Sequence, residues 1–324
     1  MIMTETPDIS IIVPVYDEEE SIRELSEWID KVNRENNLSY EIIFIDDGSK
    51  DTSWQVIESL TIENANIKGI RFSRNYGKSA ALDTGFTASS GKVVITLDAD
   101  LQDSPDEIPH LYKMIEEEGY DLVSGWKKKR HDPITKRLPS KFFNFVTRKI
   151  SGIKLHDFNC GLKAYSSRVV KNINIYGEMH RYIPVIAKWN GFDNIGEKVV
   201  THYPRKFGRT KFGIERFING FLDLISITFV MRFIKKPMHF FGTLGTLSFM
   251  LGLFITFWII GVKIYQIQNH LPVREVTNQP LFFLALVALI IGAQMFMTGF
   301  LAEILTLNSD KTSQYLIVDK KGFK

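Results

Sequence analysis

Val93-Val94-Ile95-Thr96-Leu97-Asp98-Ala99-Asp100-Leu101-Gln102-Asp103 joins a compact apolar run directly to a knot of acids. The run suits a strand buried on both faces of a parallel sheet. The carboxylates begin where such a strand would end. In open α/β sheets ligands bind beyond the carboxyl ends of the strands, so Asp98 and Asp100 fall where chemistry is expected. Two carboxylates at i and i+2 can share one divalent cation. Mg2+ and Mn2+ favour oxygen ligands and commonly complete their shell with substrate phosphates; such an ion would neutralise a leaving diphosphate. Gln102 and Asp103 extend the cluster. Taken alone, the pair also reads as a solvated turn. Its place after a buried strand, and the clusters upstream, favour the metal.

The pattern of strand followed by polar cluster recurs on the N-terminal side. Residues 9–15 form an apolar run, followed by Tyr16-Asp17-Glu18-Glu19. Residues 41–45 form a second, followed by Asp46-Asp47-Gly48-Ser49. Further strands are expected over 67–72, 93–97 and 121–124. Helical periodicity fills the gaps at 18–36, 51–60 and 78–89, with Ile22, Leu25, Ile29 and Val32 on one face of the first. The alternation predicts an α/β domain with a mostly parallel sheet over residues 1–210. A carboxylate of the Asp-Asp-Gly-Ser cluster can hold a ribose hydroxyl or a base edge, and Gly48 permits a tight turn; an ordinary turn has the same composition. Glu18 and Glu19 also suit a helix dipole with no ligand present.

The second half changes character. Residues 240–262 and 281–302 carry no charge, and each is long enough to cross about 30 Å of hydrocarbon. Arg232, Lys235 and Lys236 precede the first span, and Lys311, Lys320 and Lys321 follow the second. The connecting loop has only Lys263 at its edge and Arg274 offset by Glu275. Both termini and the catalytic domain are therefore expected on the cytoplasmic face of an integral membrane protein. Glu303 falls at the cytoplasmic end of the second span, in reach of headgroups or a partner. Gln294, deep in that span, is expected to join helices. Residues 211–236 read as an amphipathic juxtamembrane helix, with a buried core helix as the alternative, 237–306 as the two-helix membrane unit, and 307–324 as a cytoplasmic tail. The run 9–15 is too short for a signal core and is broken by Pro14, so the first half is expected to stay in the cytosol. One cysteine, Cys160, precludes an intrachain disulfide and fits a reducing compartment; burial is its expected state. A net charge of +3 excludes a nucleic-acid-style basic excess.

Several segments, in order, resemble the family two glycosyltransferases of the GT-A fold, a Rossmann-like α/β fold. They are Val13-Pro14-Val15-Tyr16-Asp17-Glu18-Glu19, Asp46-Asp47-Gly48-Ser49 with Asp51, Arg74-Asn75-Tyr76-Gly77-Lys78 and Asp98 through Pro105. Asp157-Phe158-Asn159-Cys160-Gly161-Leu162-Lys163 and Gly177 through Pro184 narrow the resemblance to the polyprenyl-phosphate branch, of the dolichol-phosphate mannose synthase and undecaprenyl-phosphate glucosyltransferase type. The resemblance implies metal-dependent, inverting transfer of a sugar from a nucleotide-sugar of the UDP-glucose or GDP-mannose class. The acceptor would be a polyprenyl phosphate at the membrane face. It implies that Pro14, Tyr16 and Glu18 line the nucleotide pocket with Asp46 at base and ribose, and that Asp98, Asp100 and Gln102 hold Mg2+ or Mn2+ and the diphosphate. It implies Asp157, Asp100 and Arg205 as the catalytic residues, with Asp157 near the acceptor phosphate or the sugar, either as a base or to position the donor. Arg205, Thr210 and Lys211 match the pattern for the acceptor phosphate, with Arg130 and Arg137 secondary and His180 and Arg181 as contacts to donor or product phosphates. Asp17 departs from the family's usual Asn. Self-association through the spans is a further expectation. A processive polysaccharide synthase would usually carry Gln-x-x-Arg-Trp, which this sequence lacks, and a non-catalytic membrane adaptor has no need of Asp98, Asp100 and Arg205.

Overall fold

The computed structural model describes residues 6–128, 134–177, 179–207, 237–307 and 317–322, with side chains undescribed at 134–142, 306–307 and 317–318. Its centre is β1 (Ile9–Val15), whose residues are buried except for Pro14. Strand β1 pairs in parallel with β2 (Tyr40–Asp46) on one side and β4 (Val93–Thr96) on the other, and β2 pairs in parallel with β3 (Ile67–Phe72). In this register Val15 lies level with Asp46 and Ile12 with Thr96. The three acidic clusters therefore leave the sheet at the same edge. Helices α1 (Ile22–Glu35), α2 (Ser53–Glu63) and α3 (Lys78–Ala88) connect these strands. Helix α1 buries Ile22, Leu25, Ile29 and Val32, the face its periodicity predicts; burial of each such side chain contributes roughly 1.5–3 kcal/mol. Helix α3 packs close to the sheet because Gly85 meets Ile12 and Ile45, where a Cβ would lie 2.4 Å from Ile12.

Beyond β4 the topology departs from a simple alternation. The order across the sheet is β7-β5-β6-β4-β1-β2-β3-β8. Strand β6 (Lys163–Ser166) inserts antiparallel between β4 and β5 (Leu122–Trp126), and β7 (Ile195–Val199) runs parallel to β5. Neither β6 nor β7 shows an apolar run: one begins with a lysine, and the other holds Glu197 and Lys198. Helices α4 (Ile108–Glu116), α5 (Ile134–Ser151), α6 (Ser167–Asn172) and α7 (Ile183–Trp189) complete this part. The C-terminal residues also differ from the reading as a tail. Ile317–Lys321 form β8, which pairs antiparallel with β3 and belongs to the same compact unit as the sheet.

The second unit contains two helices, Pro237–Gln268 and Pro280–Leu307. Both are long and apolar enough to cross a membrane, with stretches of mean hydropathy 2.0 and 2.3. They enclose the two spans expected from sequence. Their backbones approach closely at small residues: a Cβ on Gly245 would fall 2.8 Å from the Gly292 carbonyl oxygen, and one on Gly292 2.6 Å from the Phe249 nitrogen. Ser248 Oγ donates to the Ala288 carbonyl at 2.9 Å. Glu303 accepts from the backbone nitrogen of Met238 at 3.2 Å, so it caps the first helix, where the dipole favours a carboxylate. Within one chain Gln294 does not serve the contact between these two helices. It lies exposed on the side of its helix away from the buried Ala285, Ala288 and Gly292. The amphipathic helix expected at 211–236 lies outside the described residues, as do Arg130, Thr210 and Lys211 and the side chain of Arg137.

Candidate active site

The site forms where β1, β2 and β4 end. After β4 the chain turns through Asp98–Asp103, with Leu101 at φ 58, a left-handed conformation that costs a branched residue roughly 1–2 kcal/mol. Backbone strain of this kind gathers at functional loops. Three contacts lay the segment 202–205 along this turn. Asp103 and His202 form a β-bridge, and Tyr203 donates its backbone N–H to the Gln102 carbonyl at 2.8 Å. In the amide orientation that satisfies both ends, Gln102 donates to Asp100 at 2.9 Å and accepts from the Arg205 nitrogen at 3.2 Å. Gln102 therefore links the acid pair to Arg205, beyond the role of ligand expected for it.

Each acid meets a cation. Lys78, the first residue of α3, pairs with Asp98. Arg205 lies 2.7 Å from Glu18 and 3.4 Å from Asp100, bringing together residues expected to serve the acceptor, the nucleotide and the metal. Lys127 lies 2.7 Å from the fully buried Asp103. Burial alone would raise the pKa of Asp98; Lys78 and Lys127 overcome that and hold it low. Burial raises that of Asp100, and the neighbouring charges of Asp98 and Asp103 raise it further, while Arg205 pulls against them. The Asp98 carboxylate rests against Gly161, where a Cβ would sit 2.4 Å from Oδ2. Among the described residues no three carboxylate, histidine or cysteine side chains gather to hold an ion. The oxygen donors of Asp98, Asp100 and Gln102 are of the chemistry that suits a hard cation.

Asp157 is buried, and its carboxylate accepts the backbone N–H of Asn159 at 3.0 Å. Glu197 of β7 fixes this turn, accepting from the backbone nitrogens of His156 at 2.6 Å and Asp157 at 3.1 Å. The buried Lys163 lies in the field of both Asp157 and Asp98; burial lowers its pKa, and those two carboxylates act to raise it. Lys78, Lys163, His180 and Arg181 line a small cavity of about 20 Å3 with Thr96, Asn159 and Tyr165. His180 Nδ1 shares a hydrogen bond with Ser79 Oγ at 3.1 Å. Burial, with Lys78 and Arg181 close by, keeps its pKa well below the usual histidine value. At neutral pH its ring is therefore uncharged. Cys160 is buried, and burial pushes its thiol up to about 12, so it is inert.

Where β1 and β2 end, Asp17 adopts φ 54, accepts from the Lys50 nitrogen at 2.9 Å and donates its own N–H to Ser49 at 3.0 Å. Asp and Asn both tolerate that conformation, so the Asn that the resemblance implies would fit the same turn. Asp46 is fully buried; it accepts from the Ser49 nitrogen at 2.8 Å and lies 3.3 Å from Arg71. Asp47 accepts the N–H groups of Tyr76 at 2.7 Å and Gly77 at 2.9 Å, tying the end of β2 to the start of α3. Gly48, at φ 71, is pressed against the Arg74 backbone.

Burial pushes the Asp47 carboxyl up to about 6, against the pull of its two N–H donors. Between its usual value near 4 and about 6, the folded chain holds a proton that the unfolded chain has released. Stability from this group is thus highest below pH 4 and falls as pH rises to 6, by about 1 kcal/mol after discounting for partial solvent contact. The thermal midpoint of Asp47→Asn in detergent is expected to fall less between pH 4 and 6 than that of the parent. Equal slopes would show that Asp47 titrates normally.

Lys78, Lys163, Gly161 and Glu197 contribute to this site without having drawn a role from the sequence. The motif segments around Lys78, Gly161 and Lys163 were the available signal; Glu197 had none.

The model described as Glycosyl transferase family 2 matches residues 10–173. The dodecaprenyl-phosphate galacturonate synthase of Rhizobium johnstonii is 33% identical over 316 residues, covering 96% of this chain and 92% of its own. The undecaprenyl-phosphate 4-deoxy-4-formamido-L-arabinose transferase of Pectobacterium carotovorum is 31% identical over 91% of this chain and 87% of its own. Among solved structures, glucosyl-3-phosphoglycerate synthase from Mycobacterium tuberculosis, in complex with Mn2+, UDP-glucose and phosphoglyceric acid, superposes with a TM-score of 0.53 at 18% identity. That match covers 69% of this chain and 79% of the other. The likeness establishes the GT-A architecture of the sheet.

Proposed function

The chain belongs to glycosyl transferase family 2, and from that premise we propose that it transfers a sugar from a nucleotide-sugar to a polyprenyl phosphate. The observation that carries the proposal is Arg205, one guanidinium held between Glu18 of the donor side and Asp100 of the acid pair. A planar fork of donors suits a phosphate, and in a loaded site it would exchange a carboxylate for a phosphate oxygen. The names of the relatives, both polyprenyl-phosphate enzymes, support that class of acceptor.

One oxygen of the lipid phosphate attacks the anomeric carbon. The bond from that carbon to the donor diphosphate breaks, its electron pair leaves with the diphosphate, and the single displacement inverts the centre. The acceptor is already ionised at neutral pH and needs no base, so Asp157, held rigid by Glu197, serves to orient the sugar. Lys78 lies on the Asp98 side to meet the charge that develops on the leaving group. Mg2+ or Mn2+, held by Asp98, Asp100 and Gln102, would supply Lewis-acid stabilisation of the diphosphate. The Mn2+ in the solved relative's complex supports a divalent ion. The reference donors are UDP-glucose and GDP-mannose; the relatives' names add a uronate and a formamido-pentose.

The two apolar helices would hold the site at the cytoplasmic membrane face. Strands β1–β7 precede those helices and β8 follows them, yet all share one sheet. Two crossings that return the chain to its starting side satisfy that connectivity, and the flanking lysines and arginines favour the cytoplasmic side.

The test is transfer of labelled sugar to undecaprenyl phosphate in detergent, with Mg2+ or Mn2+, across UDP- and GDP-linked hexoses, a uronate and a formamido-pentose. Transfer from one donor is expected, abolished by chelation and in Asp100→Asn. Folded protein that transfers from none of these donors would overturn the reading.

A further inference from the structure

The second apolar helix presents two opposite faces. Ala285, Ala288 and Gly292 are buried against the first helix. On the other side Phe283, Val287, Ile290, Gln294, Met297 and Leu301 are all exposed, the apolar members at 49–58%. Their spacing alternates between four residues and three, the heptad period that keeps one stripe facing a partner helix. Gln294 stands near the middle of the 28-residue helix, midway along that stripe. In hydrocarbon an amide with two donors and an acceptor has no water to satisfy it.

We propose that this stripe is the contact surface for a second copy of the same chain, with Gln294 paired to its counterpart. The inference rests on the membrane reading of the two helices. Every copy inserts in one orientation, so helices from two copies run parallel, and a two-fold axis along the membrane normal sets residue 294 opposite residue 294 at equal depth. A glutamine amide is self-complementary across such an axis, since each side chain can donate to the other's carbonyl. One polar residue within an apolar heptad seam also fixes register. Pairing of that kind excludes sliding of one helix along the other, and it leaves Ala285, Ala288 and Gly292 free to hold the hairpin together within each copy.

The full chain offers a quiet background for disulfide trapping, because its single cysteine is buried. Single-cysteine probes are placed on the seam, Ile290→Cys and Leu301→Cys, and off it, Leu284→Cys and Phe300→Cys, both also exposed. Oxidation in native membranes follows a carbonate wash. Retention through the wash with cross-linked dimer at 290 and 301 and little at 284 and 300 is expected. Adding Gln294→Leu to the Ile290→Cys chain is expected to weaken association about three- to tenfold, and Gln294→Asn to weaken it less. Equal cross-linking on and off the seam, or no effect of Gln294→Leu, would overturn the proposal. Release of the chain by carbonate would instead overturn the membrane reading, and the seam with it.

Discussion

Gly161→Ala is expected to lower transfer by about a hundredfold or more while leaving the protein folded. The backbone at 161 is not in the left-handed region, so alanine adds steric bulk without backbone strain. The added Cβ would lie 2.4 Å from Asp98 Oδ2, 2.6 Å from Cγ and 2.7 Å from Oδ1. One of the two must yield. Gly161 is tied down by its carbonyl, which accepts from Thr96 Oγ1 at 2.8 Å, and it leads into β6 in the middle of the sheet. Asp98 sits on a loop, so the carboxylate moves. A displacement of about 1 Å at a reacting centre can cost a hundredfold in rate. The signature is non-additivity: Asp98→Asn in the alanine background should cost far less than it does in the parent, because the carboxylate is already misplaced. The thermal midpoint should change little. Retention of more than a tenth of parental activity would mean that the position of Asp98 does not limit the reaction.

The parts of this molecule that the sequence discloses are those built from uniform runs. Strands β1, β2 and β4 are buried on both faces, so their apolar residues run nearly without a break and their ends are marked by acids; β3 interleaves Lys68 and Arg71 and ends without an acid. The spans at 240–262 and 281–302 are legible for the same reason. Strand β6 escapes because it opens with Lys163, whose charge is buried and answered by the Cys160 carbonyl and the fields of Asp157 and Asp98. Strand β7 carries Glu197 for a purpose visible only once the turn at 156–157 lies beside it. β8 follows the membrane helices in the chain but returns to β3, a pairing of high sequence separation that local pattern cannot reveal. Asp98, Asp100 and Arg205 were singled out from motif and chemistry. That Lys78 and Arg205 rest on the acids depends on where α3 begins and on the bridge between Asp103 and His202, both properties of the folded chain. Gln294 was noticed for its polarity, but which way it faces is decided by the glycines and alanines of the opposite side.

Arg205→Ala is expected to separate two functions that share one site. In the folded chain the guanidinium neutralises Glu18 and Asp100 together, at 2.7 and 3.4 Å. If its work is to receive the acceptor phosphate, its removal costs the preorganised charge at the point of attack, a loss of about a hundred- to a thousandfold in kcat/KM. The acceptor KM should rise more than the donor KM. Binding of nucleoside diphosphate with Mn2+, measured by calorimetry without acceptor, should stay level or tighten, because Asp100 loses the cation that competes for it. Arg205→Lys should restore charge but only part of the rate, since an ammonium cannot present two parallel donors to a phosphate. A purely structural role predicts the reverse order: both variants would lose diphosphate binding along with transfer, because the segment 202–205 would come away from Gln102 and the acid pair would lose its shape. Parallel loss of both activities in Arg205→Ala would therefore remove Arg205 from the acceptor and make it a brace for the loop.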